Sequence, residues 1–472
     1  MRVLQGTLIL LFLLFCFSGS TVNAQEEMTL DDCIELALQT RYSIIRAHGD
    51  EKLAKFEKLN ALGAFLPRVS ASYDYSKGKQ TNRKQDVEVY TIEDSIIYAR
   101  YADNILDQPD SAKSFQYLLS PPTIEEREYD DLDLGTSKTL SFSGSISIFD
   151  LSNWFNFASA SANKASAQLN VIASEQDLIY SVKIYYYAYL ASEENLSVQE
   201  EAVNRAAEQL KLTESKYELG SVSRSDVLKQ KVQYGNDRLA LLRAKNAVTN
   251  SMADLAYRIG LDPRKDYKFS REFTPREITG TLEEVVEFGL THKPSLLADE
   301  KNVDAYKHNY RAAKAEYLPT LSAYGRYSIF SGTLGDTATY NYSRHSRTYG
   351  ISASYNIFDG FFRERQVAQA KVYLNNMKAL LADNRNLAVS QIKTAYLNIE
   401  QLKEQKKVSE ENVEAAQEDL RITQEKYNLG AAAILELLDA QVSLKEAQVS
   451  LIQADFNLNL AIAELENAMG KM

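Results

Sequence analysis

Two stretches of the chain, Leu151 to Leu219 and Phe361 to Leu429, run for 69 residues each without a glycine or a proline. Within them apolar residues recur at steps of three, four and three: Ile179, Val182, Tyr186 and Tyr189 in the first, Val389, Ile392, Tyr396 and Ile399 in the second. That spacing predicts two helices, each packing one stripe against neighbouring helices as in a coiled coil. A helix of that length reaches about 100 Å. Both stretches close on one phrase, Lys216-Tyr217-Glu218-Leu219-Gly220 and Lys426-Tyr427-Asn428-Leu429-Gly430, with glycine where a helix C-terminus favours it. A shorter return helix follows each, over residues 222–259 and 432–469. The stripes themselves read as core packing.

A different period governs the segments ahead of each rod. In Arg68 to Ser76, Val69, Ala71, Tyr73 and Tyr75 share one face, and Ser70, Ser72, Asp74 and Ser76 the other. Further on, Leu140, Phe142, Gly144, Ile146 and Ile148 alternate with Thr139, Ser141, Ser143, Ser145 and Ser147. Tyr349, Ile351, Ala353, Tyr355 and Ile357 repeat the pattern against Thr348, Ser352, Ser354 and Asn356. Strands are therefore expected near 68–78, 138–149, 320–330 and 347–358. One apolar and one Ser-rich face over about ten residues is the pattern of a transmembrane β-barrel. Strands of a soluble sandwich alternate too, but four are too few for a sandwich of ordinary size. Aromatics also gather at the strand ends, Phe149, Trp154 and Phe155 in one place and Phe358, Phe361 and Phe362 in the other, as a membrane-interface girdle requires. Four strands cannot close a barrel, which needs about eight. The chain is thus expected to form a homotrimer with twelve strands.

The layout is duplicated. Thr29 to Pro67 aligns without a gap on Thr281 to Pro319, Leu30-Asp31-Asp32 falling on Leu282-Glu283-Glu284 and Phe65-Leu66-Pro67 on Tyr317-Leu318-Pro319. Ile148-Phe149-Asp150 then matches Ile357-Phe358-Asp359, and Leu255 with Gly260 matches Leu465 with Gly470. Residues 25–280 form the first repeat and 281–472 the second, with a long insertion between the first pair of strands. Each repeat opens with an amphipathic helix stopped by Pro67 or Pro319, and Asp150 and Asp359 are placed to N-cap the rods. The fold class is mainly α with a membrane β-barrel.

The N-terminus adds an address. Arg2, an apolar run from about Leu8 to Phe17 and the small residues up to Ala24 read as a secretory signal peptide over residues 1–24. Cys16 does not make a lipidation signal, because Phe15 stands where a small residue is needed. No later segment approaches 18 consecutive apolar residues, so membrane contact falls to the strands. Past the signal only Cys33 remains, and the four histidines, His48, His292, His308 and His345, are scattered, so no disulfide, metal site or cofactor is expected. A net charge of −11 argues against nucleic acid. No nucleophile with a base partner and no phosphate loop points to an enzyme.

The two-copy layout, the Leu-Pro junctions, Phe358-Asp359-Gly360 and the Tyr-x-x-Gly turns followed by Ser225-Asp226-Val227-Leu228 and Leu435-Glu436-Leu437-Leu438-Asp439-Ala440 resemble the TolC family of outer-membrane efflux proteins. The resemblance covers the chain past the signal except the insertion. It implies a trimeric outer-membrane barrel continued by a helical tunnel across the periplasm of a Gram-negative bacterium, acting with a periplasmic adaptor and an inner-membrane pump. It further implies three sites. Glu436 and Asp439, spaced to share a helix face, would ring the periplasmic entrance; two acids on a solvated face is the plainer alternative. Tyr427 and Asp226 would latch that entrance shut, or Tyr427 would simply pack. The family's better-known members carry arginine where this chain has Ala432, so one gate link is missing. The small residues Gly220, Ser221, Val222 and Ser223, with Gly430, Ala431, Ala432 and Ala433, would dock the adaptor, or would be plain helix caps.

The insertion, from about Lys77 to Lys138, is acidic towards its end, with Glu125, Glu126, Glu128, Asp130, Asp131 and Asp133, and reads as a solvated outer loop. The functional expectation is a passive duct for small molecules, with an exit duct for secreted protein as the alternative. A secreted coiled-coil structural protein would explain the rods but not two Ser-lined hairpins.

Overall fold

The structure, a computed structural model, describes residues 27–80, 83–89, 123–129, 132–270, 280–333 and 341–471. The expected signal peptide and Cys16 lie outside the described residues, as do residues 81, 82, 90–122, 130 and 131 of the insertion. The chain divides into two compact units. One holds the described residues of Met1–Ala61, Ser152–Glu316 and Phe358–Met472; the other holds those of Leu62–Leu151 and Tyr317–Ile357.

The first unit is helical. Helices α1 (Leu30–Thr40) and α2 (Tyr42–Gly63) precede the rod α3 (Leu151–Glu218) and its return α4 (Arg224–Ile259). Helices α5 (Leu282–His292) and α6 (Pro294–Ala315) precede the rod α7 (Phe362–Asn428) and its return α8 (Ile434–Met469). The rods contain 68 and 67 residues, about 100 Å at helical rise. Both short openers are capped alike. Thr29 and Thr281 accept from the backbone of Asp32 and Glu284, whose carboxylates accept in return from the two threonine amides at 2.9 Å. The Thr29 bonds hold the Asp32 carboxyl below its usual range.

Two cores hold this unit. In one, Cys33, Ala37 and Ile44 meet Val182, Tyr186 and Tyr189 of α3 and Leu255 and Ile259 of α4. In the other, Val285 of α5 meets Ile392, Ala395 and Ile399 of α7 and Leu465 and Met469 of α8. The three-four-three stripe is thus where packing happens, and each fully buried Val182 or Ile392 side chain stabilises by about 1.5–3 kcal/mol. The Tyr186 hydroxyl donates to the Ser270 carbonyl at 2.6 Å, the one polar atom that its buried ring has to satisfy. Burial pushes the Cys33 thiol up to about 12, so it stays protonated and inert. A buried ion pair, Lys183 Nζ to Glu466 at 2.5 Å, ties α3 to α8, and Lys445 Nζ to Asp237 at 2.7 Å ties α8 to α4.

The second unit is β. Strands β1 (Arg68–Gln80), β4 (Leu132–Phe149), β5 (Thr320–Thr333) and β6 (Asn341–Ser354) form an antiparallel sheet in the order β1-β4-β5-β6. Its apolar face is open to the surroundings: Val69, Tyr73, Phe142, Tyr349 and Ile351 are all exposed. On the other face serines pair across strands, Ser70 Oγ lying 2.7 Å from Ser143 Oγ and Ser72 Oγ 2.9 Å from Ser141 Oγ.

Three expectations need correction. The insertion is not only loop, because β2 (Arg83–Val89) and β3 (Thr123–Tyr129) form a two-stranded ladder in it, making six strands among the described residues rather than four. The last strand ends at Ser354 rather than at 358, although the alternation runs on. Its final pair is Thr320 with Ser354, and the partner strand stops there because Pro319 has no amide to offer. Asp359 does not cap its rod. The residue at the cap of α7 is Phe361, with φ 65, and the Asp359 carboxylate instead accepts from Arg363 Nε at 2.7 Å.

Gly470 ends α8 with φ +74, and a Cβ there would lie 2.7 Å from Lys293 Cα, against backbone that cannot yield. Gly470→Ala is expected to lower stability by about 1–2 kcal/mol from the left-handed backbone alone, with the clash added. Gly235, inside α4 with open space around it, should show the opposite sign: Gly235→Ala is expected to stabilise by about 0.5–1 kcal/mol. Chemical denaturation of the two variants checks both.

Candidate functional site

The two rods end in matching turns. Gly220 and Gly430 take φ +73 and +74, and the amides of Ser221 and Ala431 donate back to the Lys216 and Lys426 carbonyls at 2.8 Å. Only glycine enters that left-handed position without strain, so the phrase shared by both rods is a helix stop followed by a tight turn. The turn residues Gly220, Ser221 and Ser223 are exposed, as are Gly430, Ala431 and Ala433, while Val222 and Ala432 are partly buried.

The side chains around the turns have definite tasks. Ser223 caps α4, and Asp226 answers it, its Oδ2 accepting from the Ser223 amide at 3.1 Å and hydroxyl at 2.8 Å. Glu436 holds the same position in α8, accepting from the Ala433 amide at 3.4 Å. Because residue 433 is alanine, this second box lacks its side-chain half. Two of the residues expected to serve a gate are therefore also helix caps. The Ser223-x-x-Asp226 spacing could have revealed this, since it is a capping box. Asp439 lies one turn beyond Glu436, and both are exposed on one face of α8.

Tyr427 and Asp226 are not bonded within the chain. Tyr427 is buried against Ile434, Leu437 and Leu438, with Ala432 and Leu420 packed around them. Its hydroxyl has no hydrogen-bond partner among the described residues, and Lys216 Nζ sits 4.5 Å above the ring centroid. This cation–π contact joins the tip of one hairpin to the tip of the other. A second link runs from Gln424 Nε2 to Gln209 Oε1 at 3.4 Å. Sequence reasoning missed Lys216, whose signal is its place beside tyrosine in the shared phrase. Ala432 belongs to the apolar cluster beneath Tyr427, so it contributes packing here.

The aromatics expected at a membrane interface divide. Phe149, Trp154, Phe358, Phe361 and Phe362 are exposed, and Phe358 and Phe361 meet edge to face at 5.6 Å. Phe155 is partly buried and stacks on His308 at 6.4 Å, so it packs against α6. Burial, with Arg311 nearby, lowers the His308 pKa. Among the described residues no group of histidine, cysteine, aspartate or glutamate could hold a metal.

Comparison with known proteins bears on these tips and strands together. The protein-family model described as outer membrane efflux protein matches residues 34–261 and 289–471. Outer membrane protein TolC of Vibrio cholerae serotype O1 is 24% identical over 329 residues, covering 69% of this chain and 75% of that protein. Outer membrane protein TolC of Escherichia coli K12 is 25% identical over 342 residues, covering 69% and 68%. The crystal structure of the outer membrane protein VceC from Vibrio cholerae superposes with a TM-score of 0.71 over 93% of this chain and 96% of that one, at 18% identity.

The unequal caps give a paired test. Ser223→Ala should cost about 1 kcal/mol and speed amide exchange over the first turn of α4 several-fold. Ala433→Ser should complete the second box and slow exchange over the first turn of α8 by a similar factor. Residue-resolved hydrogen exchange reads both.

Proposed function

The chain belongs to the outer membrane efflux protein family, and from that premise we propose that three copies form the outer-membrane duct of a tripartite export system. The sheet carries the proposal: four strands with an exposed apolar face on one side and serines on the other. Such a sheet suits lipid outside and water inside, and three copies supply the twelve strands of a closed wall. The rods continue the duct through the periplasm, and their turns form its inner mouth.

At that mouth one capping acid, Glu436, has a second task alongside Asp439. Glu436 and Asp439 from three copies set six carboxylates around the opening, an arrangement that draws in cations and repels anions. The Tyr427 hydroxyl, without a partner among the described residues, supports the latch: a carboxylate of the neighbouring copy, Asp226 included, would satisfy it. One charge-assisted bond of about 1.5–3 kcal/mol is weak enough for a partner to break. The small turn residues 220–223 and 430–433 let a helical hairpin of the periplasmic adaptor approach closely, and an inner-membrane pump supplies the cargo, small molecules such as drugs or metabolites.

Protein extracted from outer membranes should run as a heat-sensitive trimer and give single-channel conductance in a planar bilayer; a monomer without conductance would end this reading. Replacing Glu436 and Asp439 together by Ala should lower cation selectivity and weaken block by multivalent cations. Unchanged selectivity would remove the ring assignment and leave the duct standing.

A further inference from the structure

The four strands of the main sheet carry seven lysines and arginines, Arg68, Lys77, Lys79, Lys138, Arg326, Arg344 and Arg347, against two acids, Asp74 and Asp133. A chain of net charge −11 has thus placed the opposite sign in its sheet. The register shows where that charge gathers. Arg68 pairs with Ser145, which pairs with Tyr324; one row along, Ser70 pairs with Ser143, which pairs with Arg326. All six side chains share the serine face, since each row is two residues from the next.

They line an open depression of about 250 Å³, floored by Gly144 and Gly325. Tyr324 forms one wall by lying across Gly350, where an added Cβ would come 3.0 Å from its hydroxyl oxygen. The carboxylate sharing this face, Asp74, stands four residues along β1 from Ser70, about 13 Å away at strand rise. That exceeds the screening length of roughly 8–10 Å. Strand β6 contains no acid, so packing a neighbour's β6 against β1 would bring no counter-charge to Arg68.

We propose that Arg68 and Arg326, over the hydroxyls of Ser70, Ser143 and Ser145, form a binding site for a small multivalent oxyanion, of the phosphate or polycarboxylate class. The site rests on the duct reading, because the serine face is then the lumen, and three copies set six guanidinium groups around it. Guanidinium forks match such anions in pairs, and hydroxyl donors complete the shell. The volume lies below that of a drug-sized pocket, about 300–1,000 Å³, so the fitting ligand is a compact ion. The duct then has two filters of opposite sign, carboxylates at its inner mouth and arginines in its wall.

Inorganic pyrophosphate added to single channels in a planar bilayer is the test. It should reduce conductance in chloride several-fold. Arg68→Gln and Arg326→Gln should each weaken the block roughly tenfold or more, as removal of a charge-assisted hydrogen bond predicts. The double Lys variant should keep most of the block, which shows that folding and charge survive. Arg347→Gln, on the apolar face, should leave it unchanged. A conducting channel indifferent to pyrophosphate, or a double Gln variant blocked as well as the parent, would overturn the site and leave the duct intact. Failure of the parent to conduct at all would overturn the duct reading itself.

Discussion

Backbone hydrogen bonds at the two edges of the β sheet govern the remainder of this molecule. In one chain β1 and β6 each have a partner on one side only. Half of their amides and carbonyls therefore face outward without a strand to meet them. In water such an edge is a hazard; in hydrocarbon each unmet group costs several kcal/mol, and a spanning sheet has to close on itself. Four strands cannot do so alone. A sheet of this kind therefore needs further copies to close in a membrane, and the internal duplication gives each chain two pairs of main-sheet strands and two rods.

The helical unit works under a related constraint at larger scale. A rod of nearly 70 residues cannot draw its stability from helix propensity, and here it comes from short stretches of dense packing. The cores around Tyr186 and Ile392 lie partway along the rods, where the short helices α1 and α5 add a layer. Near the turns a smaller apolar cluster around Tyr427 takes over, and buried polar atoms without a hydrogen-bond partner among the described residues include the Gln209 amide nitrogen, both amide atoms of Gln230 and the Tyr427 hydroxyl. A tip held by that small cluster, a cation–π contact, one long amide hydrogen bond and two helix caps has fewer buried apolar side chains than the cores around Tyr186 and Ile392, and so is easier to rearrange.

Much of this was legible in the chain. The rods show themselves by the absence of glycine and proline, and their ends by Gly220 and Gly430, because only backbone geometry is at stake there. The strands show themselves by alternation, because one face meets lipid. What stayed hidden depended on partners distant in sequence. Strand β6 ends where Pro319 halts its neighbour, a fact absent from the local pattern. Asp359 looks like a cap until Arg363 claims it, and Phe155 looks like an interface aromatic until His308 is found beneath it. Lys216 and Tyr427 meet across two hairpins. The arginines of the sheet escaped notice for another reason: net charge sums over the chain, and opposite signs kept in separate places cancel in that sum.

Closure of the sheet by neighbouring copies is open to direct measurement. Hydrogen exchange on protein extracted from outer membranes in mild detergent can compare the outward-facing amides of β1 and β6 with those of the inner strands β4 and β5. Closure predicts that both edge strands are protected as strongly as the inner pair. Free exchange at every second amide of β1 and β6, with β4 and β5 protected, would mean that the edges remain open and that the chain does not form the wall of a duct.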